Sequence, residues 1–480
     1  MLETLAIYWP VFVGLLGIIY AIPTTLHAVL QKRDSRAVIG WVGLIWLSPF
    51  IGATIYWCFG VNRIQRKGSK ILRTISRTGK ASIRRALLES NIAGIPEDFD
   101  TNLAQIGKRL TGNDLLPGNT VTPLVGGESA YAAMTNAIEN AERSISLCSY
   151  IFDNTPVGKR MVAALAQASE RGVEVRVLID AVGALYSKPS ILYELTQHGI
   201  HSAAFLPTAS PLSTIYANLR NHRKIMVVDG TTGFTGGMNI REGNLNTPGC
   251  LHPIQDVHFQ FVGPVVEHFQ EVFLADWAFA TNESVDPQTW FGVPPTEGSI
   301  WARGIPDGPD EDLDSIRMVM LGAIASAKHR VDVVTPYFLP DDSLISALSV
   351  AAMRGIRVRV LLPSKCNIRL VQWASTDPIA RILRYNCEVY LTPPPFDHTK
   401  ILLVDDEWSL LGSSNWDPRS LRLNFEFNVE CYGKELNAQL SDLIDLKLEA
   451  AEKETRERLA NRKFLIKLRD GAARLMTPYL

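Results

Sequence analysis

The chain has 480 residues, 46% hydrophobic and 20% charged, which excludes a disordered polymer and is enough for two or three domains. Its formal net charge of −1 hides a local asymmetry, because basic residues crowd segment 63–85 with hardly any acids. Six scattered cysteines without a C-x-x-C pair argue against zinc knuckles and redox dithiols and fit a reducing compartment.

In chain order, the first elements are two uncharged apolar segments, 5–30 and 38–59. Each is of a length to cross a hydrocarbon core of about 30 Å. Trp9, Trp41, Trp57, Tyr8 and Tyr56 lie near their ends, where interfacial aromatics belong. A signal peptide fits poorly: the start carries only Glu3 and no base, and a second apolar segment follows at once. The expectation is a two-helix transmembrane hairpin over 1–62. The basic flank after Gly60 then predicts a multi-pass protein with everything after Gly60 on the cytoplasmic side of the membrane. Segment 63–110 reads as a basic juxtamembrane linker, suited either to anionic headgroups or to a solvated helix.

Beyond residue 110 the chain repeats itself. Residues 137–180, "AIENAERSISLCSYIFDNTPVGKRMVAALAQASERGVEVRVLID", run helix, strand, turn, helix, strand. Residues 323–362, "AIASAKHRVDVVTPYFLPDDSLISALSVAAMRGIRVRVLL", do the same. In both, "RG" closes a helix before an alternating apolar strand. The fold expected is α/β, duplicated as a domain over 111–295 and another over 296–480, the second ending in a C-terminal helix. The Pro/Gly-rich stretch 292–312 reads as a linker between them. A pseudo-twofold axis would bring equivalent strands to one interface.

Each copy then reaches the same motif. Residues 221–239 read "NHRKIMVVDGTTGFTGGMN" and residues 397–415 read "DHTKILLVDDEWSLLGSSN". His222 with Lys224, and His398 with Lys400, stand two apart, so on a strand each pair shares a face. Arg223 points the other way. Asp229 and Asp405 follow four core residues and read as mainly structural, although they belong to the motif. The returning hairpin brings Asn239 and Asn415 back toward the histidines. Paired histidines suit nucleophilic and acid–base work near neutral pH. Lysines and asparagines suit the non-bridging oxygens of a phosphodiester. No P-loop is present, and a His-x-Lys strand is a poor metal site because the ammonium repels a cation. Tyr150 and Tyr337 head equivalent turns, either as cleft lining or as core.

These residues resemble the phospholipase D superfamily, whose signature is H-x-K-x4-D followed by G-(G/S)-x-N. The match is complete in both copies, ending in "GGMN" and "GSSN". The apolar N-terminus, "DHTK" and "NFEFNVECYG" further resemble bacterial cardiolipin synthases of the long, membrane-anchored type. The resemblance implies two phospholipase D-like α/β/α sandwich domains. It implies catalytic motifs His222–Lys224–Asp229 and His398–Lys400–Asp405, with His222 as nucleophile and His398 as general acid and base. Asn239 and Asn415 would hold the phosphate with the lysines. An acid downstream of each motif would orient the adjacent histidine, namely Asp256 and Glu426.

The reaction implied is transfer between two phosphatidylglycerols giving cardiolipin and glycerol, without metal or other cofactor. The partners implied are anionic phospholipids and the membrane, not nucleic acid. A phospholipase D-type hydrolase would use the same residues. A nuclease would need no membrane anchor, and a non-catalytic lipid-binding protein would not need all four His and Lys. The tail "NRKFLIKLRDGAARLM" reads as a helix packed on the second domain or, alternatively, as an amphipathic helix on the bilayer.

Overall fold

The structure is a computed structural model that describes residues 2–31, 35–61, 101–207, 219–245, 250, 252–283, 285–309 and 314–477. The basic stretch 63–85 lies outside the described residues. The first half contributes strands β1 (Leu116–Val125), β2 (Ser144–Ser149), β3 (Glu174–Asp180), β4 (His201–Phe205), β5 (Ile225–Val228), β6 (Thr232–Gly236), β7 (Ile254–Gln255) and β8 (Val257–Val262). The second half contributes β9 (Ile300–Asp307), β10 (Arg330–Val334), β11 (Arg357–Pro363), β12 (Glu388–Thr392), β13 (Phe396–Asp397), β14 (Ile401–Val404), β15 (Trp408–Gly412), β16 (Glu426–Tyr432) and β17 (Glu452–Glu454).

The strand order is β4-β3-β2-β5-β6-β8-β1 in one half and β12-β11-β10-β14-β15-β16-β9 in the other, so the duplication is complete at the level of topology. The two orders join at β1 and β9, which pair antiparallel. All described strands except β7 and β13 therefore share one continuous sheet. The inner strands β2 and β10 are covered on both faces, which is why "SISLCS" and "RVDVV" bury nearly every side chain. The helices that follow them start on sequence signals. Pro156 occupies the first turn of Pro156–Glu170, and the Asp341 side chain accepts from the Ser343 and Leu344 N–H groups ahead of Asp342–Met353. Both end on the predicted glycines, Gly172 and Gly355, at φ 92° and 87°.

The stretch 292–312, expected as a linker, contains β9, which is hydrogen-bonded to β1 on one side and β16 on the other. Its Gly and Pro content masks a strand whose side chains are mostly buried. Helix Thr101–Thr111 inserts Leu103 and Ala104 into the second-half core, and buried Arg303 holds it by donating to the Ala104 carbonyl while pairing with Glu430.

Asp229 and Asp405 end β5 and β14 in the left-handed region, at φ 54° and 52°. Asp229 accepts from the backbone N–H groups of Glu142, Arg143 and Ser144, and Asp405 from those of Lys328, His329 and Arg330. Each thus fastens the start of the neighbouring strand, at the opposite end of its own strand from the histidine. The motif aspartates are structural in this geometry. Asp229→Asn, which keeps the left-handed preference but loses an acceptor, is expected to lower stability by about 1–3 kcal/mol. Urea unfolding checks this, with kcat of the folded fraction unchanged.

Helix Leu2–Gln31 is continuous, and its Tyr8–Gln31 part is long and apolar enough to cross a membrane. The second apolar segment is not one continuous helix: it forms helices Ser35–Leu47 and Pro49–Ile55, separated at Ser48. Pro49 cannot donate a backbone hydrogen bond and starts the second helix. Gly52 comes back so close to Leu44 that a Cβ would lie 2.2 Å from the Leu44 carbonyl oxygen, so the chain bends sharply here. At about 1.5 Å per residue, the 13-residue helix falls short of a hydrocarbon core. Thr24, accepting from Trp57 Nε1, and His27, bonded to the Tyr56 hydroxyl, tie the bent segment to the first helix.

Candidate active site

Both His-Lys pairs stand just ahead of their strands, β5 and β14, and meet at the junction of the halves. There the two histidines line one cleft of ≈ 260 Å³ whose wall also includes Asn239, Asn415, Tyr150 and Tyr337. Short backbone bridges between the halves set the approach. The His222 N–H donates to the Phe425 carbonyl (2.9 Å), and the Phe425 N–H to the Arg220 carbonyl (2.8 Å). On the other side β7 pairs with β13, and the His398 N–H donates to the Gln255 carbonyl at 2.7 Å.

These bridges overturn the expected pairing of acids with histidines. The residue after Phe425 is Glu426, and the residue after Gln255 is Asp256. Each acid is therefore delivered to the histidine of the other half. His222 Nδ1 lies 3.0 Å from both carboxylate oxygens of Glu426, and His398 Nδ1 lies 2.9 Å from Asp256 Oδ2. Proximity in the chain was the wrong guide, because the hydrogen-bonded neighbour across the junction comes from the other copy.

Burial lowers both imidazoles to about 4, and Glu426 and Asp256 oppose that shift. Burial pushes Glu426 up, but His222, Lys224 and Ser413 outweigh it and hold its carboxyl below the usual value. Glu426 thus stands as a carboxylate beside a neutral His222 imidazole. The Nδ1–H donates to the acid, and the Nε2 lone pair is left for the cleft.

The lysines are buried. Lys224 Nζ donates to the His222 carbonyl (2.7 Å) and Lys400 Nζ to the His398 carbonyl (2.6 Å). Burial lowers them to about 7 and about 8, so an anion arriving in the cleft favours their charged forms. Asn239 Oδ1 accepts from the Ile151 N–H, which orients the amide in the cleft wall. Asn415 Nδ2 donates to Ser420 Oγ. Tyr150 packs edge-on against His222 with ring centroids 5.2 Å apart, and Tyr337 lies 6.4 Å from His398. Arg223 indeed points away: it is fully buried, grips Asp276 with Nη1 at 2.6 Å and donates Nε to the Glu426 carbonyl. It fixes the backbone that carries Glu426.

The Gly-or-Ser choice in the G-(G/S)-x-N part of the two motifs has a physical reason. Ser413 Oγ donates to Glu426 Oε2 at 2.5 Å. At the equivalent Gly237 a Cβ would come 2.7 Å from Asp256 Oδ1, so the shorter acid sits directly against the glycine. Sequence reasoning missed Ser413 as a support for the acid. It also missed Arg220 and Asn424, which line the cleft. Strand alternation offers a signal for both: Arg220 stands two before His222, and Asn424 two before Glu426, to which it donates at 3.3 Å. Arg419 and Asp417 also line the cleft, and burial raises Asp417 to about 6. No sequence pattern marks these two.

Comparison with known proteins finds matches to both halves. A family model described as "Cardiolipin synthase, PLD-like domain" matches residues 134–277 and 320–446, one segment in each half. The chain is similar to the "Cardiolipin synthase A" of Pseudomonas fluorescens, 32% identical over 95% of both chains. It is 30% identical to the "Cardiolipin synthase" of Alkalihalophilus pseudofirmus over 98% of this chain and 94% of that one. Among solved structures, phosphatidylserine synthase of Haemophilus influenzae superposes with a TM-score of 0.60 at 14% identity, covering 79% of this chain and all of the other. That likeness concerns the fold.

Proposed function

Because the chain belongs to the cardiolipin synthase family with phospholipase D-like domains, we propose that it makes cardiolipin by phosphatidyl transfer between two phosphatidylglycerols. The observation that carries the reading is the single cleft in which both histidines, each held at Nδ1 by a buried acid, face one another's half.

His222 Nε2 attacks the phosphorus of the first lipid, and the bond from phosphorus to the glycerol headgroup oxygen breaks. The phosphodiester's negative charge raises the imidazole pKa, so His398 carries a proton at Nε2 and passes it to the departing oxygen. Glycerol leaves, and the phosphatidyl group stays on His222. The headgroup hydroxyl of the second lipid then gives its proton to His398, its oxygen attacks phosphorus, and the P–N bond breaks. Splitting the displacement in two avoids direct attack of one weak alcohol on a stable diester. Lys224, Lys400, Asn239 and Asn415 stabilise the equatorial oxygens of both transition states. This scheme uses no metal or other cofactor.

We place the catalytic halves on the cytoplasmic face of a bacterial inner membrane. The connector "QKRDSR" and stretch 63–85 are both basic, and a bilayer crossed by Tyr8–Gln31, with the bent second segment dipping in and returning, leaves both on the inner side.

The test is lipid product analysis of the full chain in detergent, given phosphatidylglycerol with a chelator present. Cardiolipin and glycerol in equal amounts are expected. Phosphatidic acid as the main product would replace the synthase reading with a hydrolase, since water would then be the acceptor.

A further inference from the structure

The C-terminal helix Phe464–Leu475 packs on helix Arg369–Ala374 through a narrow mixed face. Its buried positions are Asp470 and Ala473. Asp470 is held by Arg462 and Arg469, and Arg469 stacks 4.4 Å from the Trp373 ring. Its outward stripe is apolar: Phe464 is 76% exposed, Leu465 74%, Leu468 59% and Leu475 74%. A helix on a water-facing protein surface has the reverse arrangement. Lys463, Lys467 and Arg474 flank the stripe, and from Arg462 to Arg474 five bases face one acid.

This helix stands directly behind the cleft wall. Ala473 packs in one cluster with Leu339 and Val371, against which Tyr337 rests, and both Tyr337 and Val371 line the cleft. The first half's rim is also apolar and open. Tyr186 lines the same cleft from the first half and is 57% exposed, beside Leu185 at 64%.

We infer that this helix and the Leu185–Tyr186 rim form a bilayer-docking surface of the catalytic halves, separate from the N-terminal anchor, and that its occupant is an anionic lipid surface. An apolar stripe bordered by lysines and arginines fits the boundary between acyl chains and negative headgroups. A protein partner would need no such basic border. Docking here sets the cleft mouth against the lipid, so a phosphodiester reaches the histidines without its acyl chains leaving the bilayer. The choice of phosphatidylglycerol as probe rests on the proposed function; the docking itself does not.

Two measurements test it on the full chain in phosphatidylglycerol-containing vesicles. Leu468→Trp adds emission over the wild-type background, and brominated acyl chains should quench that added emission. An added tryptophan that stays unquenched, or is shielded only as protein concentration rises, overturns the proposal, the latter in favour of a second copy. In the second measurement, Leu465→Ser with Leu468→Ser should lower kcat/KM on bilayer phosphatidylglycerol about tenfold. Turnover of monomeric dihexanoyl phosphatidylglycerol should stay unchanged. Equal loss on both substrates, or none on either, overturns it. The quenching needs no turnover, so failure to make cardiolipin would sink the functional reading alone.

Discussion

Replacing His222 by Ala is expected to abolish phosphatidyl transfer, by at least about 10⁴-fold, whereas His398→Ala leaves the chain able to form, but not resolve, the covalent intermediate. The difference appears with a phosphatidyl nitrophenol, whose leaving group departs without a proton. His398→Ala should release one equivalent of nitrophenol in a burst and then stall, with the phosphatidyl group on His222. His222→Ala should give no burst. With phosphatidylglycerol, whose alcohol must be protonated, both variants should be slow, His398→Ala by about 10²–10⁴-fold. Rapid-quench kinetics and mass spectrometry of the stalled protein check this. A burst from His222→Ala, with an adduct on His398, would exchange the two roles. The assignment of His222 follows the family resemblance. Its support in the site is the firmer hold on this imidazole, where both Glu426 oxygens lie 3.0 Å from Nδ1 and Ser413 and Asn424 brace the acid.

The duplication, the four His and Lys residues and the asparagines are legible along the chain because each depends on local spacing. Residues two apart share a strand face, and a tight hairpin returns the asparagine to the same end. Contacts between the halves are not local and escape that reading. Nothing in the order of residues says that Phe425 pairs beside His222, so Glu426 reads as a partner of His398 until the bridge is seen. β9 escapes for a different reason: Gly304 and Pro306 look like linker chemistry, yet Gly304 is required where a Cβ would meet the His268 and Phe427 side chains. The second apolar segment passes a length test as a whole and fails it once Pro49 divides it. Membership of a motif does not by itself give a residue chemistry. Asp229 and Asp405 belong to the signature but act on backbone N–H groups at the far end of the strand.

The exchanged acids lead to the second large effect. Glu426→Gln is expected to slow the chemical step governed by His222, and Asp256→Asn the proton transfers governed by His398. An amide in place of the acid no longer secures the Nδ1–H tautomer or steadies the imidazolium, a change that costs about 10⁴-fold in a comparable acid–histidine pair. With the nitrophenol substrate the two variants separate. Glu426→Gln should slow the burst itself. Asp256→Asn should leave the burst rate near wild type and depress the steady state that follows. If each acid served the histidine of its own half, the pattern would invert. Both substitutions preserve shape, and thermal unfolding in parallel distinguishes a chemical defect from loss of the fold. The exchange also makes the halves interdependent. His222 lies on the first half and its acid on the second, while His398 lies on the second and its acid on the first. Neither half alone holds a complete histidine–acid pair, so activity requires the junction to be formed before either imidazole is set for chemistry.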